Sequence, residues 1–350
     1  MTYSKKITCL ALLAFTACGT AGDESTTDSA STTDSASASD GATEGGATDG
    51  ETGGTGATPD VLDPALFHIF ALVSDFTKVD CTLTDGSSST CYTVTVRNEP
   101  AQWGPGCPST DSEVGGVGFY DPDGVPVLYA LDAELWALME ADGFDIVDDQ
   151  GNVNVVAPTG PPGMGGGDPP VTNGACLDAE LVDTLEMTYF IPAKPALSGS
   201  TTQVAVPAVP YSGISLDGLP LAPAPPPTVM GGMAALPALD PCGGHPEPDG
   251  PFHWHLTPQE SNHVLDANGI RDDVRCGAIE QISDAVIGYG ADGFPIYGSQ
   301  DPDGTTPGDL DECHGHDALG GYHYHVSATD APNNITCLKG LLATNFLVRK

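Results

Sequence analysis

Residues 239–256 read LDPCGGHPEPDGPFHWHL, and residues 310–326 read LDECHGHDALGGYHYHV. Both contain Leu-Asp-x-Cys-x-Gly-His, a glycine-bearing turn and an aromatic-His-aromatic-His-apolar run. They lie 71 residues apart at the cysteine and 70 at the first histidine of the pair. Ahead of each stands another shared element, GISLDGLPL at 213–221 and GYGADGFPI at 288–296. Agreement at so many specified positions marks a duplicated unit, spanning about 211–256 and 286–326. A fainter third copy of the Asp-Gly-x-Pro element is GFYDPDGVPV at 118–127, with no histidines after it.

Alternating aromatic and histidine residues suit a strand, because aromatics favour a pleated surface. In a strand, residues i and i+2 share one face at roughly 6.5–7 Å between Cα atoms, so both imidazoles can meet one metal ion. Phe252, Trp254, Tyr322 and Tyr324 then face the other way, into a core. A third imidazole is available in each unit, His245 or His316, preceded by a glycine and expected to be held next to a disulfide. The candidate metal ligands are therefore His245, His253, His255, His316, His323 and His325. Three imidazoles suit zinc or copper with an open position. The six can build two sites or share one at a pseudo-twofold axis. His314 has only Gly243 as its counterpart, so the units need not be equivalent. His314, Asp217 and Asp292 are further candidates for a metal contact or for orienting an imidazole, although aspartates in such turns usually serve the turn itself. The bland alternative is that the histidines only hydrogen-bond within a core.

His253-Trp254-His255 with Glu260 resembles the His-x-His-x4-Glu core of the cupin metal motif, and His325 has Asp330 at the same distance. The flanking glycines do not fit that motif. Asp121–Gly124 and Asp301–Gly304, both Asp-Pro-Asp-Gly, lack the length and closing glutamate of a calcium loop and read as surface turns. There is no phosphate-binding glycine loop, Gly-x-Ser-x-Gly elbow or His-Glu-x-x-His.

The N-terminus, MTYSKKITCLALLAFTAC, has two lysines and then an apolar run far shorter than the roughly 20 residues of a membrane span, which reads as a secretory signal. Phe15-Thr16-Ala17-Cys18-Gly19 resembles a bacterial lipobox, which makes Cys18 the lipidated first residue of the mature chain. The alternative is ordinary cleavage and a secreted or periplasmic protein. Residues 19–60 carry nine acidic residues, no basic ones and no aromatics. Such a segment cannot offset its ordering entropy by burial and reads as a solvated tether. Without the first 18 residues the chain has 8 basic against 48 acidic residues, a formal charge of −40. That charge argues against nucleic-acid binding.

Removing Cys9 and Cys18 leaves eight cysteines, which in an exported chain imply four disulfides. The repeat suggests Cys242 with Cys276 and Cys313 with Cys337. Cys81 with Cys91 would close a hairpin, leaving Cys107 for Cys176. Gly and Pro make up 75 of 350 residues, which favours short strands and turns. Thr93 and Thr95 alternating with Val94 and Val96 predict a half-buried strand. Residues 131–143 predict a helix with Asp132 as N-cap, and 177–187 a second short one. The expected fold is mainly β with short helices, disulfide-stapled, with the duplication in its C-terminal half. The expected organisation is a signal (1–18), a linker (19–60), an N-terminal β-rich region of unknown role (61–195) and a histidine-rich domain (196–350). Residues 157–175 are expected to form a flexible loop.

The second unit, with DGFPIYG, LDECHGH, GYHYHV and Cys337-Leu338-Lys339-Gly340, closely resembles the YHYH family of exported bacterial proteins over roughly 205–345. The first unit departs from it in having Phe-His-Trp-His. The resemblance implies export and a metal site but no reaction. Two functions are open: a lipid-anchored copper- or zinc-binding protein, or a metal-dependent hydrolase or oxidoreductase of the cell envelope. A metal-free structural surface protein is the third.

Overall fold

The computed structural model describes residues 60–122, 125–158, 174–225, 235–248 and 250–350. The expected signal with Cys18, nearly all of the expected linker and most of the loop expected at 157–175 lie outside these residues.

The duplication builds one eight-stranded sheet. The first unit supplies β1 (Gly213–Ser215), β2 (Pro220–Leu221), β3 (Gly244–Pro246) and β4 (Phe252–Trp254). The second supplies β5 (Val286–Gly290), β6 (Pro295–Tyr297), β7 (Gly315–Ala318) and β8 (Gly321–His325). Their order across the sheet is β3-β4-β2-β1-β5-β6-β8-β7, which reads the same from either edge after exchange of the units. In each half an Asp-Gly hairpin pairs antiparallel, its second strand runs parallel to the His-x-His strand, and the Gly-His strand closes the edge. The halves meet along β1 and β5, where Ile214 faces Tyr289 and the flanking pairs are Ser215 with Gly288 and Gly213 with Gly290. The pseudo-twofold axis therefore passes through the Ile214–Tyr289 pair.

On one face of this sheet Ile214, Tyr289, Phe252, Trp254 and Tyr324 are buried in the main core. The opposing side of that core comes from Val94, Val96, Met187, Tyr189 and Ile191. These residues lie on a four-stranded sheet of Thr77–Thr82, Ser88–Arg97, Glu186–Pro192 and Leu347–Arg349. As the alternation predicts, Val94 and Val96 are each 1% exposed while the threonines beside them are half-buried. The last strand, Leu347–Arg349, pairs with Glu186–Pro192. The boundary expected near 195 falls inside a single compact unit, Gly56–Lys350.

The four disulfides are Cys81–Cys91, Cys107–Cys176, Cys242–Cys276 and Cys313–Cys337, the last two being the pairs the repeat suggests. Helix α1 (Ala133–Ala141) has Asp132 accepting from the Glu134 and Leu135 amides, and it buries Leu135, Trp136 and Met139. The helix expected at 177–187 does not form. Leu177 instead ends strand Ala175–Leu177, paired parallel with Ala235–Pro237, and Glu186 and Met187 begin the next strand. Asp178 accepts from the Cys107 amide. Strand pairing on both sides leaves too few residues for the i→i−4 ladder of a stable helix. A short helix forms elsewhere, α2 (Ser261–Ala267). The hairpin Val117–Tyr120 with Val127–Ala130 brackets the faint third copy, whose Asp123 and Gly124 lie outside the described residues.

Candidate metal centres

Each half of the sheet brings three imidazoles to the face opposite the core. His245 on β3 stands directly across from His253 on β4, and His255 follows two positions on. His316 on β7 faces His323 on β8, with His325 two positions on. A cross-strand pair plus an i+2 neighbour is the sheet's shortest route to a three-histidine cluster.

The turn before each edge strand is built the same way in both units. Asp240 Oδ1 accepts from the amides of Cys242 (2.9 Å) and Gly244 (3.1 Å), and Asp311 Oδ1 from those of Cys313 (2.8 Å) and Gly315 (3.1 Å). Glycine precedes each histidine because a Cβ there would strike the ring of Phe252 and Trp254 in the first unit, or of Tyr322 in the second. Gly243 and His314 both have positive φ, +87° and +60°. His314 is exposed and stands outside both clusters. It is a non-glycine residue at the left-handed position of the turn.

Asp217 and Asp292 are buried on the core side, beyond reach of the imidazoles. Asp217 Oδ2 accepts from the Trp254 indole (3.1 Å), and Asp292 Oδ2 from the Tyr324 hydroxyl (2.7 Å) and the Gly340 amide (2.8 Å). They therefore fix the aromatic residue that sits between the paired histidines. Burial pushes both carboxyls up, Asp292 to about 6.

In the second unit the three Nε2 atoms and Asp301 Oδ1 converge, all four ligand atoms lying within 4.8 Å of one another. His316 and His323 Nε2 are 2.9 Å apart. Asp301 Oδ1 lies 3.6, 3.4 and 3.5 Å from the Nε2 atoms of His316, His323 and His325. A tetrahedral ion with bonds of about 2.05 Å sets its ligands about 3.3 Å apart. Each ring is also held from behind at Nδ1: His316 by Asp309 Oδ1 (2.8 Å), His323 by the Gly321 carbonyl (3.1 Å) and His325 by the Gly298 carbonyl (2.8 Å). All three partners are acceptors, so each Nδ1 donates and each Nε2 faces the common point, where its lone pair is free for a metal when Nε2 carries no proton. His325 is 1% exposed and its Nε2 has no hydrogen-bond partner.

In the first unit His255 Nε2 lies 3.0 Å from His253 Nε2 and 3.2 Å from His245 Nε2, and among the described residues no carboxylate joins them. His253 Nδ1 donates to the Pro251 carbonyl (3.0 Å). Burial pushes all three imidazoles below their usual range, and for His245 and His255 the neighbouring rings add to that effect. This cluster opens onto a pocket of about 440 Å³. His325 is lowered mainly by burial as well.

The six histidines thus divide between two centres, three in each. The sequence reading missed Asp301, which it placed in a surface turn, and Asp309. It also missed Asn334, whose amide clamps the first His-x-His strand by donating to the Trp254 (2.8 Å) and His255 (3.2 Å) carbonyls. Glu260, the cupin-like position, is directed away to His263 (2.6 Å) and the Ser299 amide (2.8 Å). The first three of these residues lie outside the repeated motif, so internal similarity gave no signal for them.

Residues 188–309 match the family described as YHYH protein. The match takes in the whole first unit and the Asp-Gly turn of the second, and it ends before His316. No curated protein and no solved structure matches the chain. No helix among the described residues is long and apolar enough to cross a membrane.

Proposed function

We propose that this chain, which carries a YHYH domain, is an exported, lipid-anchored protein that binds zinc or copper at two centres, one in each repeat. The observation that carries the reading is in the second unit. Three Nδ1-anchored imidazoles turn their lone pairs on one point beside a carboxylate, at spacings a four-coordinate ion requires. Without a cation, those buried lone pairs face one another at a cost; a divalent ion converts the repulsion into four bonds. The ligands are nitrogen and oxygen, and the eight cysteines of the folded part are tied up in disulfides, which suits zinc or copper(II) over copper(I).

Elemental analysis of the purified full chain tests the reading. Two equivalents of metal are expected. The double variants His323→Ala, His325→Ala and His253→Ala, His255→Ala should each retain one, and absence of stoichiometric metal after loading with either ion would refute it. Anchoring is supported by the lipobox-like residues around Cys18 and is tested by moving the protein out of the membrane fraction with Cys18→Ala. An enzymatic reading, with a metal-activated water, is favoured by one observation, the pocket at the first centre.

A further inference from the structure

The two centres differ in their ligands. The second centre has Asp301 beside its three imidazoles, whereas the first, among the described residues, has three imidazoles and no carboxylate within ligating reach. Three neutral imidazoles leave both charges of a divalent ion uncompensated, whereas Asp301 removes one. Beside the three-histidine centre lies the pocket of about 440 Å³, whose walls include Pro210, Ala222 and Pro237; among the described residues its one lining Lys or Arg is Arg349 and its one lining carboxylate is Glu247. Arg349 sits on the last strand, across from Met187.

We propose that the first centre is a ligand-accepting site that takes a small carboxylate with an apolar body. The carboxylate occupies the open metal position, Arg349 supplies a second positive charge, and the proline- and alanine-lined wall covers the rest. The second centre is closed by Asp301 and holds its ion without an exchangeable ligand. This inference rests on the metal reading above. The charge argument is Coulombic: Arg349 is set against Glu247, and a divalent ion held by neutral imidazoles still leaves the cavity positive, which favours an anion. The apolar lining then selects among anions by the area each buries.

Cobalt(II) replaces zinc in the full-length protein, and its visible absorption reports each change of ligand. Benzoate and acetate are titrated into cobalt-loaded wild type, the His253→Ala, His255→Ala variant and Arg349→Gln. Benzoate should shift the wild-type bands saturably and bind about tenfold more tightly than acetate. Arg349→Gln should weaken benzoate roughly threefold to tenfold. The His253→Ala, His255→Ala variant should keep one cobalt and give no response. Bands that ignore both anions while two cobalt ions are bound would overturn the proposal and leave the metal reading standing. So would a response that persists without His253 and His255, or benzoate no tighter than acetate with Arg349→Gln unchanged. Failure to bind cobalt at all would sink the metal reading itself, and the inference with it.

Discussion

The Tyr322 hydroxyl donates to Asp311 Oδ2 over 2.9 Å, and at the corresponding place in the first unit Phe252 has no hydroxyl, leaving Asp240 Oδ2 buried without a partner. Burial raises the Asp240 carboxyl to about 8, against backbone amides that pull it down. Folded protein therefore holds a proton that unfolded chain has released above about pH 4. The sign follows: stability contributed by protonated Asp240 is present at low pH and is lost as pH rises toward 8. Over that window the metal-free protein should lose on the order of 1.4 kcal/mol per pH unit from this group. Asp240→Asn should flatten that slope in denaturant unfolding measured at pH 5, 6, 7 and 8. An unchanged slope would show that the orphaned oxygen does not govern it.

The Tyr324 hydroxyl gives a hydrogen bond to Asp292 and takes one from the Lys339 amide (2.7 Å). Tyr324→Phe removes both from a buried site and should cost about 1–3 kcal/mol. Because the hydroxyl lies on the core face, the variant should still bind two metal equivalents. Loss of the second-unit metal with stability intact would reverse that assignment.

Asp309 is 77% exposed and touches the metal set only through His316 Nδ1. Asp309→Ala should weaken the second centre about 10- to 100-fold, as removal of a carboxylate behind a ligating imidazole does elsewhere. Asp301→Ala removes a ligand and should weaken it further. In competition against a chromophoric chelator, the first centre should be unaffected by either change.

Acidification competes with the metal for the imidazoles. The three first-centre rings are held below their usual range by burial, so protons compete only at lower pH. That centre should retain its ion at pH 6.5, the ordinary imidazole midpoint, and release it below. Release already complete at pH 6.5, followed by a metal-sensitive dye, would count against a buried neutral triad.

The repeat carried most of the fold and the site in legible form. Alternation of Trp254 and Tyr324 with histidines fixed which face meets the core, and the duplicated cysteines gave the pairings Cys242–Cys276 and Cys313–Cys337. The 177–187 segment misled because it opens with LDAEL, the same five residues that start the helix at 131, while pairing with residues 235–237 made Leu177 a strand residue. Asp301 was illegible for a different reason. Its Asp-Pro-Asp-Gly context describes a turn, and only the folded hairpin brings that turn over β7 and β8. The equivalence of the two units held for backbone and aromatics and failed at the ligands, where Asp301 joins the second cluster and no described carboxylate joins the first.

The central claim is tested most directly by anomalous diffraction from crystals of the metal-loaded protein, collected on either side of the zinc or copper absorption edge. The account predicts two peaks. One should lie about 2.0–2.2 Å from the Nε2 atoms of His316, His323 and His325 and from Asp301 Oδ1, the other about 2.0–2.1 Å from the Nε2 atoms of His245, His253 and His255. A single peak shared by the two units, or fully loaded crystals with no peak at either triad, would contradict it.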